Sequence, residues 1–181
     1  MSSSILPQLA VEERRFALVT LHRPSNVDDP LVLGTLLRTL DEIAMLCALT
    51  MVFPVHPRTR QRLEAGGLSP AGPHWRVCDP LGYLDFVRLE ASARIVLTDS
   101  GGVQEETTVL GVPCVTLREN TERPCTIRDG TNVLAGTERG SILAAVQRAL
   151  EMTVAGRVPA CWDGRSADRI AEHLASELAA A

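Results

Sequence analysis

Short apolar runs alternate along the chain with longer stretches in which apolar residues return every three or four positions. The first run, Phe16 to Leu21, is nearly continuous, of strand length, and gives way at once to the polar cluster His22, Arg23, Pro24, Ser25 and Asn26. That is the pattern of a buried strand opening into a loop. Asp29 then precedes Pro30, a capping acceptor followed by a residue whose fixed φ suits a first helical turn, and Leu33, Leu37, Leu40, Ile43 and Ala44 repeat at helical spacing. By the same reasoning strands are predicted at Met51 to Val55, Trp75 to Cys78, Arg94 to Thr98 and Val112 to Leu117, with a sixth at Asn132 to Ala135. Helices are predicted between them, at about 57–65, 83–93 and 103–110, and two more near 141–152 and 166–178 close the chain. The last carries Ile170, Leu174 and Leu178 on one stripe and is expected to pack on its own sheet.

Strands that alternate with helices predict βαβ units, whose right-handed crossovers give a parallel sheet covered on both faces. The fold class is therefore α/β, a Rossmann-like parallel sheet with helices on both faces. The length of 181 residues suits one domain. Residues 1–14 read as an N-terminal extension and 165–181 as a C-terminal helix, with Gly66 to Pro73 a Gly/Pro-rich loop and Gly156 to Gly164 a linker.

Composition narrows the partners. The chain is 45% hydrophobic and 22% charged, as a folded globular protein is, and its net charge is -4. All 18 cations are arginine, which suits local anion-binding forks rather than a long basic surface, and only six aromatics are present. Nucleic acid is disfavoured on both counts. The five cysteines, Cys47, Cys78, Cys114, Cys125 and Cys161, show no CxxC spacing and an odd count, so neither a metal site nor a disulfide framework is expected and a reducing cytoplasm fits. The N-terminus has no leader pattern, and no stretch approaches the roughly 18 apolar residues of a membrane helix.

In an open parallel sheet a ligand lies beyond the carboxyl ends of the strands, and the residues there are polar in this chain: His22 and Arg23; His56 and Arg58; Asp79, Pro80 and Leu81; Asp99 to Gly102; Arg118 to Arg123. The sharpest is the run Thr98 to Glu106, a strand passing through Ser100, Gly101 and Gly102 into a helix. Glycines let a phosphate approach the backbone, and free amides at a helix start attract an anion. Glu106, one turn further, is placed to accept ribose hydroxyls. A tight turn capped by Ser100 explains the same residues without a ligand. His22 and His56 suit proton relay or phosphate contact, and equally suit hydrogen bonds to loop backbone. Arg118, Glu122 and Arg123 suit a diphosphate or sugar, or surface ion pairs.

Taken together, the segments Leu18 to Pro24, Phe53 to Pro57, Leu97 to Glu106, Leu110 to Pro113, Arg118 to Pro124 and Gly130 to Leu134 resemble the C-terminal half of the non-hydrolysing UDP-N-acetylglucosamine 2-epimerases. The resemblance covers about residues 16–150. It implies one half of a glycosyltransferase-B type two-domain fold, with UDP-GlcNAc or UDP bound in the cleft between the halves and neither metal nor other cofactor required. It further implies that Ser100, Gly101 and Gly102 hold the diphosphate and Glu106 the ribose, with Arg23 and His56 also on the UDP side. Leu81, Tyr83 and Phe86, in the segment Pro80 to Phe86, would lie against the uracil. Arg118, Glu122 and Arg123 would line the sugar side, and His22 would assist departure and return of UDP. The family's proton-transferring carboxylates belong to an N-terminal domain that no segment here matches. The implied protein is thus a UDP-binding half, inactive alone, whose partners are UDP-GlcNAc or UDP and a separate N-terminal domain chain. Two residues depart from the family pattern: Ser25 and Cys125 stand where members often carry glutamate. A non-catalytic nucleotide-sugar module, a glycosyltransferase donor domain and a hydrolysing epimerase are the competing readings.

Overall fold

The computed structural model describes residues 3–70, 72–154 and 157–180. Six strands form one sheet: β1 (Phe16–Thr20), β2 (Thr50–Pro54), β3 (Trp75–Cys78), β4 (Ile95–Thr98), β5 (Cys114–Thr116) and β6 (Asn132–Leu134). All neighbours pair in parallel, in the order β3-β2-β1-β4-β5-β6. Nine helices are described: α1 (Ile5–Gln8), α2 (Pro24–Val27), α3 (Pro30–Cys47), α4 (Pro57–Ala65), α5 (Tyr83–Ser92), α6 (Gly101–Leu110), α7 (Pro124–Arg128), α8 (Arg139–Glu151) and α9 (Ser166–Ala180). No described helix is long and apolar enough to cross a membrane.

Alternation along each strand builds two cores. Ala17, Val19, Met51, Phe53, Ile95, Leu97 and Val115 face α3 and α8, whose Leu33, Leu36, Leu40, Ile43, Ile142, Val146 and Ala149 close over them. Phe16, Leu18, Val52 and Val96 point the other way, onto Leu89, Ala93 and Val103 of the α5–α6 side. Burial on both faces is what turns the strands into continuous apolar runs. The helix start read from the sequence operates as expected, since the Asp29 side chain accepts from the Leu31 amide at 2.8 Å ahead of Pro30; at the other end of a helix, Gly111 closes α6 in the left-handed region at φ 66.

Four features differ from the sequence reading. The N-terminal extension is not inert, because α1 buries Ile5 and Leu6 in the second core. The polar cluster after β1 winds into α2, started by Pro24 at its first helical position, and buries Asn26 and Val27. A short helix, α7, also follows Arg123, where the sequence predicted no element. Finally, α9 does not pack on the sheet: Ile170, Leu174 and Leu178 are 59%, 55% and 79% exposed. Periodicity reveals an apolar stripe but not what covers it. The expected linker 156–164 lies partly outside the described residues.

Gly130 sits where the backbone leaves α7 for β6. A Cβ there would stand 2.5 Å from the Thr126 carbonyl oxygen and 2.6 Å from the Thr108 hydroxyl, so only glycine fits. Gly130→Ala is expected to destabilise the fold by about 1–3 kcal/mol, as overpacking in a filled site does. Urea unfolding of the two proteins measures this, and an unchanged midpoint would show that α7 yields freely.

Candidate functional site

The strand order reverses between β1 and β4, and that is where a doubly wound sheet opens a crevice beyond its carboxyl edge. The residues leaving those two strands are joined by one carboxylate. Asp99, fully buried, accepts from the amides of His22 (3.0 Å) and Arg23 (2.9 Å), from the Asn26 side-chain amide (3.2 Å) and from His22 Nδ1 (2.8 Å). Asn26 also donates to the Leu117 carbonyl at 2.9 Å, which ties in the exit of β5. Because Asp99 can only accept, the hydrogen of the neutral imidazole is assigned to Nδ1, leaving Nε2 for the pocket.

That pocket, of about 220 Å³, is lined by Thr20, His22, His56, Leu81, Phe86, Ser100 and Val103, among others. Five sequence-predicted residues thus converge: His22, His56, Leu81, Phe86 and Ser100. The two histidine rings lie 5.9 Å apart. His56 has a structural task as well, since its Nδ1 accepts from the Arg58 amide at 3.2 Å and caps α4.

Ser100 is the N-cap of α6 but makes no side-chain cap bond, and its own amide donates to Thr98 Oγ1 at 2.9 Å. Capping therefore does not explain the serine, and the first amides of α6 have no intrahelical acceptor. The glycines are more informative still. A Cβ on Gly101 would meet nothing nearer than Glu122 Oε2 at 3.8 Å, and one on Gly102 nothing nearer than Ser100 Oγ at 4.0 Å. The chain's own packing does not demand glycine at either place.

The 118–123 loop overhangs this helix start. Arg118 makes a forked pair with Glu122, at 2.9 and 3.0 Å, and Arg23 reaches the same carboxylate at 3.2 Å. Arg118's hydrogen bonds, joined by Glu122's own backbone and the charge of Arg23, bring the Glu122 carboxyl down to about 2. Arg123 pairs with Glu105 at 3.1 Å. Buried Gln104 anchors the loop: it donates to the Ser100 carbonyl (3.0 Å) and accepts from Thr121 (2.6 Å) and Asn132 (3.1 Å). Tyr83 and Glu106 stand apart from the histidines and line a separate pocket of about 430 Å³ with Val87, Val109 and Trp162.

The sequence put Asp99 at a strand end without giving it a role, and Asn26 and Gln104 were not read as site-building residues at all. An acid directly after a central strand was a visible signal for Asp99, whereas nothing in a linear pattern says that Asn26 and Gln104 point inward. Cys114 carries no thiolate chemistry, since burial pushes it up to about 12.

The family described as UDP-N-acetylglucosamine 2-epimerase matches residues 1–175. A Methanocaldococcus jannaschii protein named UDP-N-acetylglucosamine 2-epimerase is 39% identical over 162 residues, 88% of this chain and 44% of the relative. A Pseudomonas aeruginosa protein named UDP-2,3-diacetamido-2,3-dideoxy-D-glucuronate 2-epimerase is 41% identical over 160 residues, 88% of this chain and 44% of the relative. The solved M. jannaschii UDP-GlcNAc 2-epimerase in complex with UDP-GlcNAc and UDP superposes with a TM-score of 0.83 at 34% identity, covering 97% of this chain and 49% of that one. A glycosyltransferase of kitacinnamycin, at 17% identity and TM-score 0.57, shares the fold alone, which agrees with one Rossmann-like half of a glycosyltransferase-B architecture. The chain spans less than half the length of the curated relatives it matches.

Replacing Asp99 by Asn sets an NH2 group against donors that now meet a carboxylate. Each buried donor left unpaired costs about 1–3 kcal/mol, so Asp99→Asn is expected to lower unfolding stability by at least that much. It is also expected to shift the His22 ring nitrogens in 15N NMR away from the Nδ1–H tautomer. A variant with unchanged His22 nitrogens would contradict the assignment.

Proposed function

Since the chain belongs to the UDP-N-acetylglucosamine 2-epimerase family, we propose that it is the UDP-binding half of an epimerase that interconverts UDP-GlcNAc and UDP-ManNAc. The observation that carries this is the start of α6, where two glycines leave space that the fold itself does not use, in front of amides with no intrahelical acceptor. Ser100, Gly101 and Gly102 hold the diphosphate there. Leu81 and Phe86 supply an apolar wall for the uracil, with Tyr83 on the next face of α5, and Glu106 accepts from the ribose. His56 and Arg23 complete the UDP side, and Arg118, Glu122 and Arg123 line the sugar side. That the M. jannaschii structure is a complex with UDP-GlcNAc and UDP supports UDP as the kind of ligand.

In the proposed reaction a base on the other half of the epimerase removes the proton at sugar C2. The C1–O bond breaks with its electron pair leaving on UDP, and 2-acetamidoglucal results. UDP then adds back with the proton returned to the opposite face of C2. His22 contributes in its doubly protonated form, whose Nε2–H donates to the departing phosphate while Nδ1–H stays bonded to Asp99, which holds the ring in place from behind. The carboxylates for proton transfer come from the other domain, so these 181 residues bind UDP weakly and turn nothing over alone. The sugar is a separate matter from the nucleotide: the P. aeruginosa relative is named for a diacetamido glucuronate, and its common element with UDP-GlcNAc is UDP.

Titration calorimetry with UDP, UDP-GlcNAc and NAD tests the reading, with UDP preferred over NAD as the expected result and equal binding of the two as the result that sinks it. Gly102→Ala is the diagnostic variant. It should leave thermal stability unchanged or slightly higher, because Ala is about 1 kcal/mol better than Gly in a helix, while UDP affinity falls at least tenfold (about 1.4 kcal/mol) as the methyl enters the phosphate seat. Measured conversion of UDP-GlcNAc by the purified chain should be nil, and robust turnover would overturn the two-half account.

A further inference from the structure

Glu90, on α5, has no role in anything described so far. It is 0% exposed, and no N–H or hydroxyl donor among the described residues reaches either of its carboxyl oxygens. A buried carboxylate without a cation or donor is among the most unfavourable arrangements a fold can contain, so such a group keeps its proton instead. α5 packs against α6, and the charge that acts on Glu90 across that contact is Glu106, close enough to share a hydrogen bond. Cys114 of β5 also feels the Glu90 charge, but its thiol is itself held protonated by burial. No arginine is among the groups that influence Glu90.

We propose that Glu90 is a positioning residue for Glu106: it stays protonated between α5 and α6, donates that proton in a hydrogen bond to the Glu106 carboxylate, and so fixes Glu106 as an acceptor aimed at its ligand's hydroxyls. The proposal rests on the reading that Glu106 holds the ribose of UDP. Glu106 is half-exposed on a pocket wall, where a free glutamate would sample several rotamers. A hydrogen bond from a fixed, buried acid removes that freedom and leaves the remaining lone pairs for a diol. Two carboxyls at this distance cannot both ionise readily, so the pair carries one proton and one negative charge.

Burial, reinforced by the charge and hydrogen bond of Glu106, raises the Glu90 carboxyl from its ordinary 4.5 to about 8. The folded protein therefore binds this proton more tightly than the unfolded chain does. The group's contribution to stability is complete below its ordinary value of 4.5 and is lost as the pH rises to about 8. Above that, two facing carboxylates repel, and Glu106 loses its fixed position.

The test uses the full chain with 13C-labelled glutamate carboxyls, titrated by NMR as the parent, E90Q and E106Q, with UDP affinity measured from pH 7 to 9. In the parent one glutamate is expected to titrate near pH 8; that resonance should be absent in E90Q, and its midpoint should fall in E106Q, which removes the neighbouring charge. UDP affinity of the parent should drop about tenfold (about 1.4 kcal/mol) across this range, while the E90Q profile, whose amide donates without titrating, should be flat apart from the titration of UDP itself. E90L, with no donor, should bind UDP more weakly than E90Q at every pH. A Glu90 midpoint in the ordinary carboxylate range, a midpoint indifferent to E106Q, or identical UDP profiles for parent and E90Q would each overturn the proposal. Failure of UDP to bind at any pH with the shared titration intact would instead overturn the assignment of Glu106 to ribose and leave the carboxyl pair standing.

Discussion

The site depends on the carboxylate of Asp99. It stands where the strand order reverses and accepts four hydrogen bonds from the segment that leaves β1, including one from the ring of His22. Without that acceptor the His22 and Arg23 amides would be unmet close to the core, and the imidazole would have no reason to adopt one orientation. β1 and β4 are already in register, Val19 opposite Leu97 and Thr20 opposite Thr98, with the two threonine hydroxyls 2.5 Å apart. The parallel sheet brings the two strand ends together, and Asp99 converts that proximity into a fixed histidine.

A second buried network does the same for the other rim. Gln104 and Asn132 join Ser100, Thr116, Thr121 and Thr126 through hydrogen bonds of 2.6 to 3.1 Å, so the start of α6, the 118–123 loop and β6 move as one piece. The helix amides between these two networks are left to point outward. The site is therefore rigid around an opening, which is the arrangement a phosphate seat requires: donors already oriented before the anion arrives.

Most of the sheet was legible because parallel strands buried on both faces read as short apolar runs, and loops at their carboxyl ends read as polar breaks. α4 and β3 have the predicted bounds, Pro57–Ala65 and Trp75–Cys78. What failed were elements too short or too dependent on distant partners to show a period: the single turns α1, α2 and α7, and the stripe of α9, whose residues remain exposed. At the site, the convergence of His22, His56, Leu81 and Ser100 on one pocket was readable from strand ends, while Phe86 came only from the family resemblance. The inward-facing Asn26, Gln104 and Glu90 were not, since a polar residue on a helix looks the same in sequence whether it faces water or a buried neighbour. The glycines show the opposite limit. Sequence reading could not tell a turn that needs glycine from a seat that leaves room for a ligand, and only the space around Gly101 and Gly102 separates the two.

Three carboxylates illustrate how one chemical group is given different tasks by its surroundings. Asp99 is buried among four donors, and its charge is what organises them. Glu122 is exposed, and Arg118 with Arg23 keeps it charged down to about 2, so it acts as a fixed counter-ion that holds two guanidinium groups over the helix start. Glu90 is buried with only another acid for company, which reverses the sign of the argument and makes it a donor. In the proposed seat a diphosphate would meet arginines already held in place by Glu122 and would have to compete with that carboxylate for them. The amides of Gly101 and Gly102 face no such competitor within the helix, which is why the nucleotide assignment rests on them rather than on the arginines.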